Sequence, residues 1–246
     1  MRPPEKLVHT RTRVQSRYAL MPLEGFPFSK LPGSPEVEVK ILASPALGAR
    51  FVEMLVDLPR SAKLDFEAKP DIEHFYYCLS GTGTISKNAV RPGSFGLIPA
   101  AGALQFTAAD PLRLLVLQKR YEPADGIPIF KPLHSHEASV EKKVWAENPH
   151  SLLQTLIPDE FAYDLAMNIF TFDPGFGLPV VETHVMEHGL LFLQGKGLYY
   201  LDGEWMEVEK DDFIWMGPYC PQSFYATGPT PSRYIYYKNV NRDISL

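Results

Sequence analysis

The chain has 246 residues, 45% of them hydrophobic, and a formal net charge of −5, which is enough length for one large domain or for two of about 110–120 residues. Its lysines and arginines are scattered, its apolar runs are too short to cross a membrane, and residues 1–20 lack the apolar stretch of a signal peptide, so we expect neither a nucleic-acid nor a membrane partner. Two cysteines give no disulfide framework and no CxxC zinc motif, which favours a reducing compartment and a cytoplasmic location.

Short alternating apolar runs dominate the sequence. Residues 1–35 carry apolar side chains without a sustained period, and we expect them to form an arm that packs on something else, in this chain or in a second copy. Runs rich in β-branched and aromatic residues, each closed by Gly, Pro or Asp, then predict strands; in chain order they are 51–59, 74–81, 113–121, 167–175, 188–195 and 232–238. The best of the few amphipathic patterns, at 137–148, predicts a helical linker.

The two halves of the sequence repeat each other. Gly81 in the first half corresponds to Gly195 in the second, an offset of 114 (195 − 81). A matched pair of strand-rich segments indicates a duplicated all-β barrel or sandwich. We therefore predict two domains, 1–148 with the arm, the first barrel and the linker, and 149–246 with the second barrel.

The stretch ETHVMEH at 182–188 holds candidate metal ligands. Glu182 and His184 share one face of a strand, because side chains alternate along it. His188 follows past a bend, from which the next strand can return it to the same interior. Gln222 is the polar candidate for a fourth donor from a distant strand. Three ionisable groups on an interior face are costly to bury, which favours a metal site over an ordinary polar strand face.

This spacing resembles the cupin superfamily, whose motifs read G-x5-H-x-H-x3–4-E-x6-G and G-x5-P-x-G-x2-H. Here Glu182 stands at the first His position, His188 at the Glu position, and Gln222 at the His that ends the second motif. This Glu/His/His/Gln combination resembles the (S)-ureidoglycine aminohydrolases, two-cupin enzymes of purine (allantoin) catabolism, across residues 40–246. The resemblance implies two tandem cupin (double-stranded β-helix, or jelly-roll) barrels, that is, a bicupin.

The resemblance also implies a cofactor and a reaction. One Mn²⁺ ion per chain would lie in the C-terminal barrel, held by Glu182, His184, His188 and Gln222. Carboxylate and amide oxygens favour Mn²⁺ over zinc or copper, while two imidazoles distinguish the site from a pure Mg²⁺ cage. The implied reaction is hydrolysis of (S)-ureidoglycine to (S)-ureidoglycolate and ammonia, so the expected ligand is a small ureido acid. The family is oligomeric, and we expect a homo-oligomer.

Further substrate contacts are predicted on the last strand, SRYIYYK. Period two places Tyr234, Tyr236 and Lys238 on one face. If that face is interior, Lys238 is a cation near the metal, and Tyr234 offers a phenol for hydrogen bonding or proton transfer; a slip of one residue would instead put Lys238 on the surface. The resemblance adds Tyr199 as a substrate contact. The catalytic candidates are Glu182, Lys238 and Tyr234, with Glu182 and Lys238 as alternative bases.

The first half lacks this site. When it is aligned on His74, which matches His188, the positions of Glu182, His184, Gln222, Tyr234 and Lys238 fall on Ala68, Pro70, Leu104, Leu115 and Lys119. One histidine cannot hold a divalent ion, so we expect the first barrel to serve structure and association. We expect His74 to be a hydrogen-bonded structural residue, and the HSH stretch at His134–His136 to be a solvated part of the linker without a partner.

Two other functions are compatible with the pattern. One is a different metal-dependent cupin enzyme, such as an iron dioxygenase or an isomerase, and an oxygen requirement would indicate the dioxygenase. The other is a non-catalytic bicupin that binds a small molecule, and a purified protein without metal would indicate it.

Overall fold

The structure, a computed structural model, describes residues 11–31 and 33–242, which form short β-strands and two single-turn 3-10 helices at Leu23–Gly25 and Glu137–Ser139. No helix in these two ranges is long and apolar enough to span a membrane. The strands are, in chain order, β1 (Arg13–Val14), β2 (Tyr18–Met21), β3 (Ser29–Leu31), β4 (Ser34–Ala43), β5 (Phe51–Leu58), β6 (Lys63–Phe66), β7 (Ile72–Ser80), β8 (Gly83–Ile85), β9 (Asn88–Val90), β10 (Ser94–Ile98), β11 (Leu104–Ala108), β12 (Leu112–Arg120), β13 (Leu133–His136), β14 (Lys143–Trp145), β15 (Asn148–Thr155), β16 (Leu165–Phe172), β17 (His188–Gln194), β18 (Lys196–Leu201), β19 (Glu204–Glu209), β20 (Phe213–Met216), β21 (Gln222–Ala226) and β22 (Ser232–Asn239).

The described residues divide into two compact units. The first unit comprises residues 27–31, 33–140 and 160–164, and the second comprises residues 11–26, 141–159 and 165–242. The predicted domain 1–148 groups the N-terminal arm with the first barrel. In the structure, arm strand β2 pairs with β20 of the second unit, with Tyr18 opposite Met216.

The first unit contains two antiparallel sheets. One has the order β13-β10-β7-β12-β5-β4-β3, and the other has the order β6-β11-β8-β9. Alternate side chains of both sheets form one apolar core, because period two turns every second residue inward. Met54, Val56 and Leu114 of the larger sheet lie in this core with Leu104 and Phe106 of the smaller one.

The second unit repeats this arrangement. Its larger sheet has the order β1-β2-β20-β17-β22-β16-β15-β14, and its smaller sheet has the order β19-β18-β21. The core is richer in aromatic side chains than that of the first unit and includes Phe170, Phe172, Phe192, Phe224 and Tyr234. Beside this core, buried polar side chains line a cavity, which is described below.

The strand orders of the two larger sheets correspond, with β10-β7-β12-β5-β4 matching β20-β17-β22-β16-β15. Strands β5 and β16 begin at residues 51 and 165, which gives the predicted offset of 114. The predicted all-β fold with an internal repeat is therefore confirmed.

The predicted helical linker at 137–148 is wrong. After the single turn at Glu137–Ser139, the segment enters the hairpin of β14 and β15, in which Trp145 pairs with Asn148. Ala146 and Glu147 take positive φ values of 50° and 60° between them, as a two-residue hairpin turn requires. Pairing of β15 with β16 overrides the local helical preference, because tertiary pairing outweighs propensity in short segments.

The HSH stretch was expected to be a solvated linker without a partner, and this is also wrong. It lies on β13, which pairs with β10 over residues 94–97. The Nδ1 atom of His134 lies 2.9 Å from the hydroxyl of Tyr76, and the Nε2 atom of His136 donates to the carbonyl of Pro92 at 2.9 Å. Both histidines are half-buried.

Candidate metal and substrate site

The second unit encloses a cavity of about 510 Å³. Its wall is formed by the segment between β16 and β17 and by strands β14, β16, β17, β18, β20, β21 and β22. Every residue that the sequence singled out for metal or substrate lines it: Glu182, His184, His188, Tyr199, Gln222, Tyr234 and Lys238. Residues from four strands and one loop, up to 56 positions apart in sequence (238 − 182), thus face one space.

Two histidine rings converge in this cavity. His188 donates its Nδ1–H to the carbonyl oxygen of Tyr237 at 2.9 Å, which leaves the lone pair of Nε2 directed away from the backbone. The Nε2 atoms of His184 and His188 are 3.2 Å apart. Burial lowers the pKa of both rings, that of His188 to about 3. Both imidazoles are therefore neutral near pH 7, the form that binds metals.

The Gln222 amide completes this cluster. Its Nε2 atom is assigned 3.0 Å from Nε2 of His184, and rotation of the amide by half a turn would present its oxygen there instead. The Tyr199 hydroxyl donates to Oε1 of Gln222 at 3.4 Å. Two imidazoles and an amide thus point to the same place, a donor set that suits a divalent ion.

Glu182 is joined to Gln222 through the backbone. Its N–H donates to the Gln222 carbonyl at 2.8 Å, and the Gln222 N–H donates to the Glu182 carbonyl at 2.9 Å. Burial raises the pKa of the Glu182 carboxyl, and the charge of Lys238 opposes that rise. Across residues 11–31 and 33–242, no three His, Cys, Asp or Glu side chains are arranged to hold a metal, so the converging donors are His184, His188 and the Gln222 amide.

Strand register brings Lys238 and two tyrosines to the same cavity. Lys238 pairs with His188, Tyr236 with Leu190, and Tyr234 with Phe192. Because these β22 residues alternate with Ile235 and Tyr237, they share one face, and all three line the cavity. Burial raises the pKa of the Tyr234 and Tyr199 phenols well above the usual range, so both keep their protons at neutral pH.

Tyr236 belongs to an aromatic wall whose other two members, Phe170 and Trp145, were missed by sequence reasoning. The rings of Phe170 and Tyr236 stack at 5.6 Å with an angle of 8° between their planes, and Trp145 meets Phe170 edge-on at 5.5 Å. All three line the cavity. Phe170 could have been found from its inward position on β16, but Trp145 could not, because its segment was predicted to be helical.

Comparison with known proteins identifies the family. No protein-family model matches the chain. The chain is 32% identical to (S)-ureidoglycine aminohydrolase from Escherichia coli (strain K12), over 98% of this chain and 96% of that protein. It is 31% identical to (S)-ureidoglycine aminohydrolase from Arabidopsis thaliana, over 95% of this chain and 79% of that protein. The chain belongs to the (S)-ureidoglycine aminohydrolase family.

Solved structures agree with this assignment. The protein Ylba from E. coli superposes with a TM-score of 0.85 at 30% identity, over 99% of this chain and all of that chain. A cupin 2 conserved barrel domain protein from Leptotrichia buccalis superposes with a TM-score of 0.60 at 20% identity, over 85% of this chain and 92% of that chain. The second likeness concerns the fold alone, and it confirms the predicted cupin architecture for this member of the (S)-ureidoglycine aminohydrolase family.

The first unit of this family member fills the equivalent space with apolar side chains. Leu104 stands in the position of Gln222, as predicted, and it pairs with Phe66 as Gln222 pairs with Glu182. The counterpart of Glu182 is thus Phe66 rather than the predicted Ala68. The Phe66 ring stacks on His74 at 6.1 Å.

Two further equivalences differ from the prediction by one residue. Gln118 pairs with His74 as Lys238 pairs with His188, so Gln118, not Lys119, is the counterpart of Lys238. The same offset of 120 (238 − 118) makes Leu114, not Leu115, the counterpart of Tyr234. As expected for a structural residue, His74 is hydrogen-bonded, with its Nδ1 atom 3.0 Å from the Gln118 amide.

The difference in residue number between equivalent positions of the two units grows from 114 to 120 along the chain, because the second unit has two insertions. The β18–β19 hairpin closes at Leu201 and Glu204, whereas β8–β9 closes at Ile85 and Asn88, so each strand of the later hairpin is two residues longer. This adds four residues, and the connection from β21 to β22 adds two more than that from β11 to β12. An alignment on motifs alone cannot locate these insertions.

Glu187 and its counterpart in the first unit, Glu73, are buried outside the cavity. Glu187 accepts a hydrogen bond from the Trp215 indole at 3.5 Å. Glu73 pairs with Lys119 at 3.2 Å, and Lys119 also pairs with Asp164. Lys119 therefore serves an internal ion cluster in the first unit.

Proposed function

We propose that this chain is a metal-dependent hydrolase that releases ammonia from (S)-ureidoglycine and yields (S)-ureidoglycolate, in purine (allantoin) catabolism. The observation that carries the proposal is the convergence of the His184 and His188 Nε2 atoms, 3.2 Å apart, beside the Gln222 amide in a cavity that Lys238 also lines. Membership of the (S)-ureidoglycine aminohydrolase family supports the choice of substrate.

We assign one Mn²⁺ ion per chain to Glu182, His184, His188 and Gln222. The mixed set of hard oxygen and imidazole donors supports this metal over zinc or copper. When bound, the ion supplies Lewis-acid polarisation and an anchor for an amine and a carboxylate carried on one carbon. The hydrogen bond from Nδ1 of His188 to the Tyr237 carbonyl fixes the tautomer of His188, and the backbone pairing of Glu182 with Gln222 keeps these two residues side by side.

We assign the remaining steps to side chains of the cavity. The ammonium group of Lys238 binds the substrate carboxylate or ureido oxygen, since a charge-assisted hydrogen bond is among the strongest that a side chain offers. Tyr234 and Tyr199, which stay protonated, donate hydrogen bonds and orient the ureido group. Glu182 takes the proton of the attacking water and returns it to the leaving amine, so that water and ureidoglycine become ureidoglycolate and ammonia.

We also propose that the protein is a cytoplasmic homo-oligomer whose partner is a small ureido acid, without nucleic-acid or membrane partners. The net charge of −5 and the scattered lysines and arginines support the absence of a nucleic-acid partner. Sedimentation of the purified protein measures the oligomeric state directly.

The test is ammonia release from freshly prepared (S)-ureidoglycine, together with metal analysis of the same sample. We expect His184→Ala to lose the metal and to lower the rate by about 10³-fold, which corresponds to about 4 kcal/mol of transition-state stabilisation. His150→Ala is the matched control, because His150 is a half-exposed histidine of the same unit paired with Asp173.

The assay is run with and without oxygen. Equal rates support a hydrolase, and a rate that depends on oxygen would point to a dioxygenase instead. Full activity in protein that contains no metal would contradict the assignment of the four ligands.

A further inference from the structure

The first unit has its own cavity, of about 500 Å³, formed by β9, β10, β13 and the single helical turn that follows β13. It is distinct from the site in the second unit. Its polar lining includes Arg91, Ser94, His134, Ser135 and Ser139. None of the described residues that line it is acidic, so its only formal charge is that of Arg91.

A buried tyrosine fixes the state of His134. Tyr76 is 1% exposed and lies in the apolar core, but its hydroxyl lies 2.9 Å from Nδ1 of His134. A phenol O–H is more acidic than a neutral imidazole N–H, so the phenol donates and Nδ1 accepts. The ring proton of His134 is then on Nε2, which leaves one N–H to offer to the cavity. Burial lowers the pKa of His134, which keeps the ring neutral.

The Tyr76–His134 pair depends on a glycine between them. Gly96 pairs with Tyr76 on one side and with His134 on the other. A Cβ atom at Gly96 would lie 2.6 Å from a carbon of the Tyr76 ring and 2.6 Å from the Leu133 carbonyl oxygen, distances that no side chain tolerates. The absence of a side chain at residue 96 thus lets the Tyr76 ring reach His134.

The second unit carries no such arrangement at the equivalent positions. Register places Leu190, Ile214 and Leu20 where the first unit has Tyr76, Gly96 and His134. All three are buried in the apolar core of the second unit. An apolar trio is therefore sufficient for this fold, and the tyrosine, glycine and histidine of the first unit need another explanation.

Arg91 adds a positive charge to the cavity beside His134. It is exposed at the rim, lines the cavity and forms no ion pair with any residue in 11–31 or 33–242. A guanidinium group matches a carboxylate with two parallel N–H donors. One guanidinium and one neutral imidazole suit a single negative charge better than the double charge of phosphate.

We propose that this cavity binds a small monocarboxylate, which pairs with the Arg91 guanidinium and accepts a hydrogen bond from Nε2 of His134. The hydroxyls of Ser135 and Ser139 are available to polar groups on the rest of the ligand. This binding site does not depend on the metal or on the reaction proposed for the second unit.

The probe is N-carbamoylglycine, a stable ureido carboxylate, titrated into full-length protein labelled with ¹³C at histidine Cε1. The His134 signal is assigned by its loss in His134→Gln. We expect this signal to shift saturably, and the dissociation constant to rise at least about tenfold in Arg91→Gln, because a charge-assisted bond is lost. Tyr76→Phe, which releases His134, is expected to raise it about threefold.

Lys63→Gln is the matched control, because it removes an exposed cation of the same unit outside the cavity and should leave the titration unchanged. Thermal melting of each variant checks that the fold is intact. The proposal is overturned if the His134 signal does not respond, if Arg91→Gln binds as well as the unmodified protein, or if inorganic phosphate binds more tightly than N-carbamoylglycine.

Discussion

His188 in the second unit and His74 in the first occupy equivalent strand positions, but their surroundings differ. His188 lies 3.2 Å from His184 and faces the cavity that Gln222 and Lys238 line. His74 lies against Phe66 and the Gln118 amide, and burial lowers its pKa to about 4. The comparison teaches that the strand order requires only an inward residue at this position, whereas a metal site also requires donors from two further segments, the one between β16 and β17 and strand β21.

Lysines on the equivalent strands β12 and β22 also differ in their surroundings. Lys238 points into the cavity of the second unit, whereas Lys119 is one position further along its own strand and points to the opposite face. There it pairs with Glu73 and Asp164, both buried. One lysine is thus available to a ligand, and the other is occupied by the protein.

The largest expected effect comes from removing the occupied lysine. Lys119→Met leaves two buried carboxylates without their cation, which costs about 3–5 kcal/mol of folding free energy. Denaturant unfolding of the purified variant measures this, with Lys63→Met as the exposed control. The metal content of the folded variant should be unchanged, because Lys119 lies outside the cavity. An unfolding midpoint equal to that of the control would show that the cluster does not stabilise the first unit.

A second contrast concerns Glu53, whose counterpart at the offset of 114 is Met167. Glu53 is fully buried, neither of its carboxylate oxygens has a hydrogen-bond partner among the described residues, and burial raises its pKa from 4.5 to about 8. The folded state therefore keeps a proton that the unfolded state loses as pH rises above 4.5, so stability falls with rising pH up to about pH 8.

Glu53→Met should remove this loss. Between pH 5 and pH 8, we expect the free energy of unfolding of the variant to rise by about 3 kcal/mol relative to that of the unmodified protein. Denaturant unfolding of both proteins at a series of pH values measures this difference. Parallel pH profiles for the two proteins would mean that Glu53 is ionised in the folded state or has a partner in solution.

The smallest expected effect is that of replacing Lys238, the lysine that is available to a ligand, by the residue type of its counterpart Gln118. Lys238→Gln places in the second unit the residue that the first unit has at position 118, and it removes a charge-assisted contact of about 2 kcal/mol. We expect kcat/KM for ammonia release to fall about 30-fold, with metal content and unfolding midpoint unchanged. A fall in metal content as large as the fall in rate would assign Lys238 to metal binding instead.

Local pattern was enough to predict a large part of the fold. Alternation predicted three strands in each of the two larger sheets, and the glycine-marked repeat predicted their duplication. The hairpin at 143–155 was missed because Ala146 and Glu147, good helix formers, take positive φ in its turn. The position of the arm was also beyond local pattern, since the pairing of β2 with β20 joins residues up to 198 positions apart (216 − 18).

The sequence by itself singled out seven residues that face one cavity in the second unit. For those on β17, β18, β21 and β22, the inward position follows from period two, which is a local property of each strand, whereas Glu182 and His184 lie in the segment between β16 and β17. Only the tertiary structure decided which residues of the first unit are their counterparts, since insertions in one hairpin and one connection change the offset from 114 to 120. It also decided that His134 and Tyr76 meet. Register between distant strands depends on turns and pairing along the whole sheet, and no single segment encodes it.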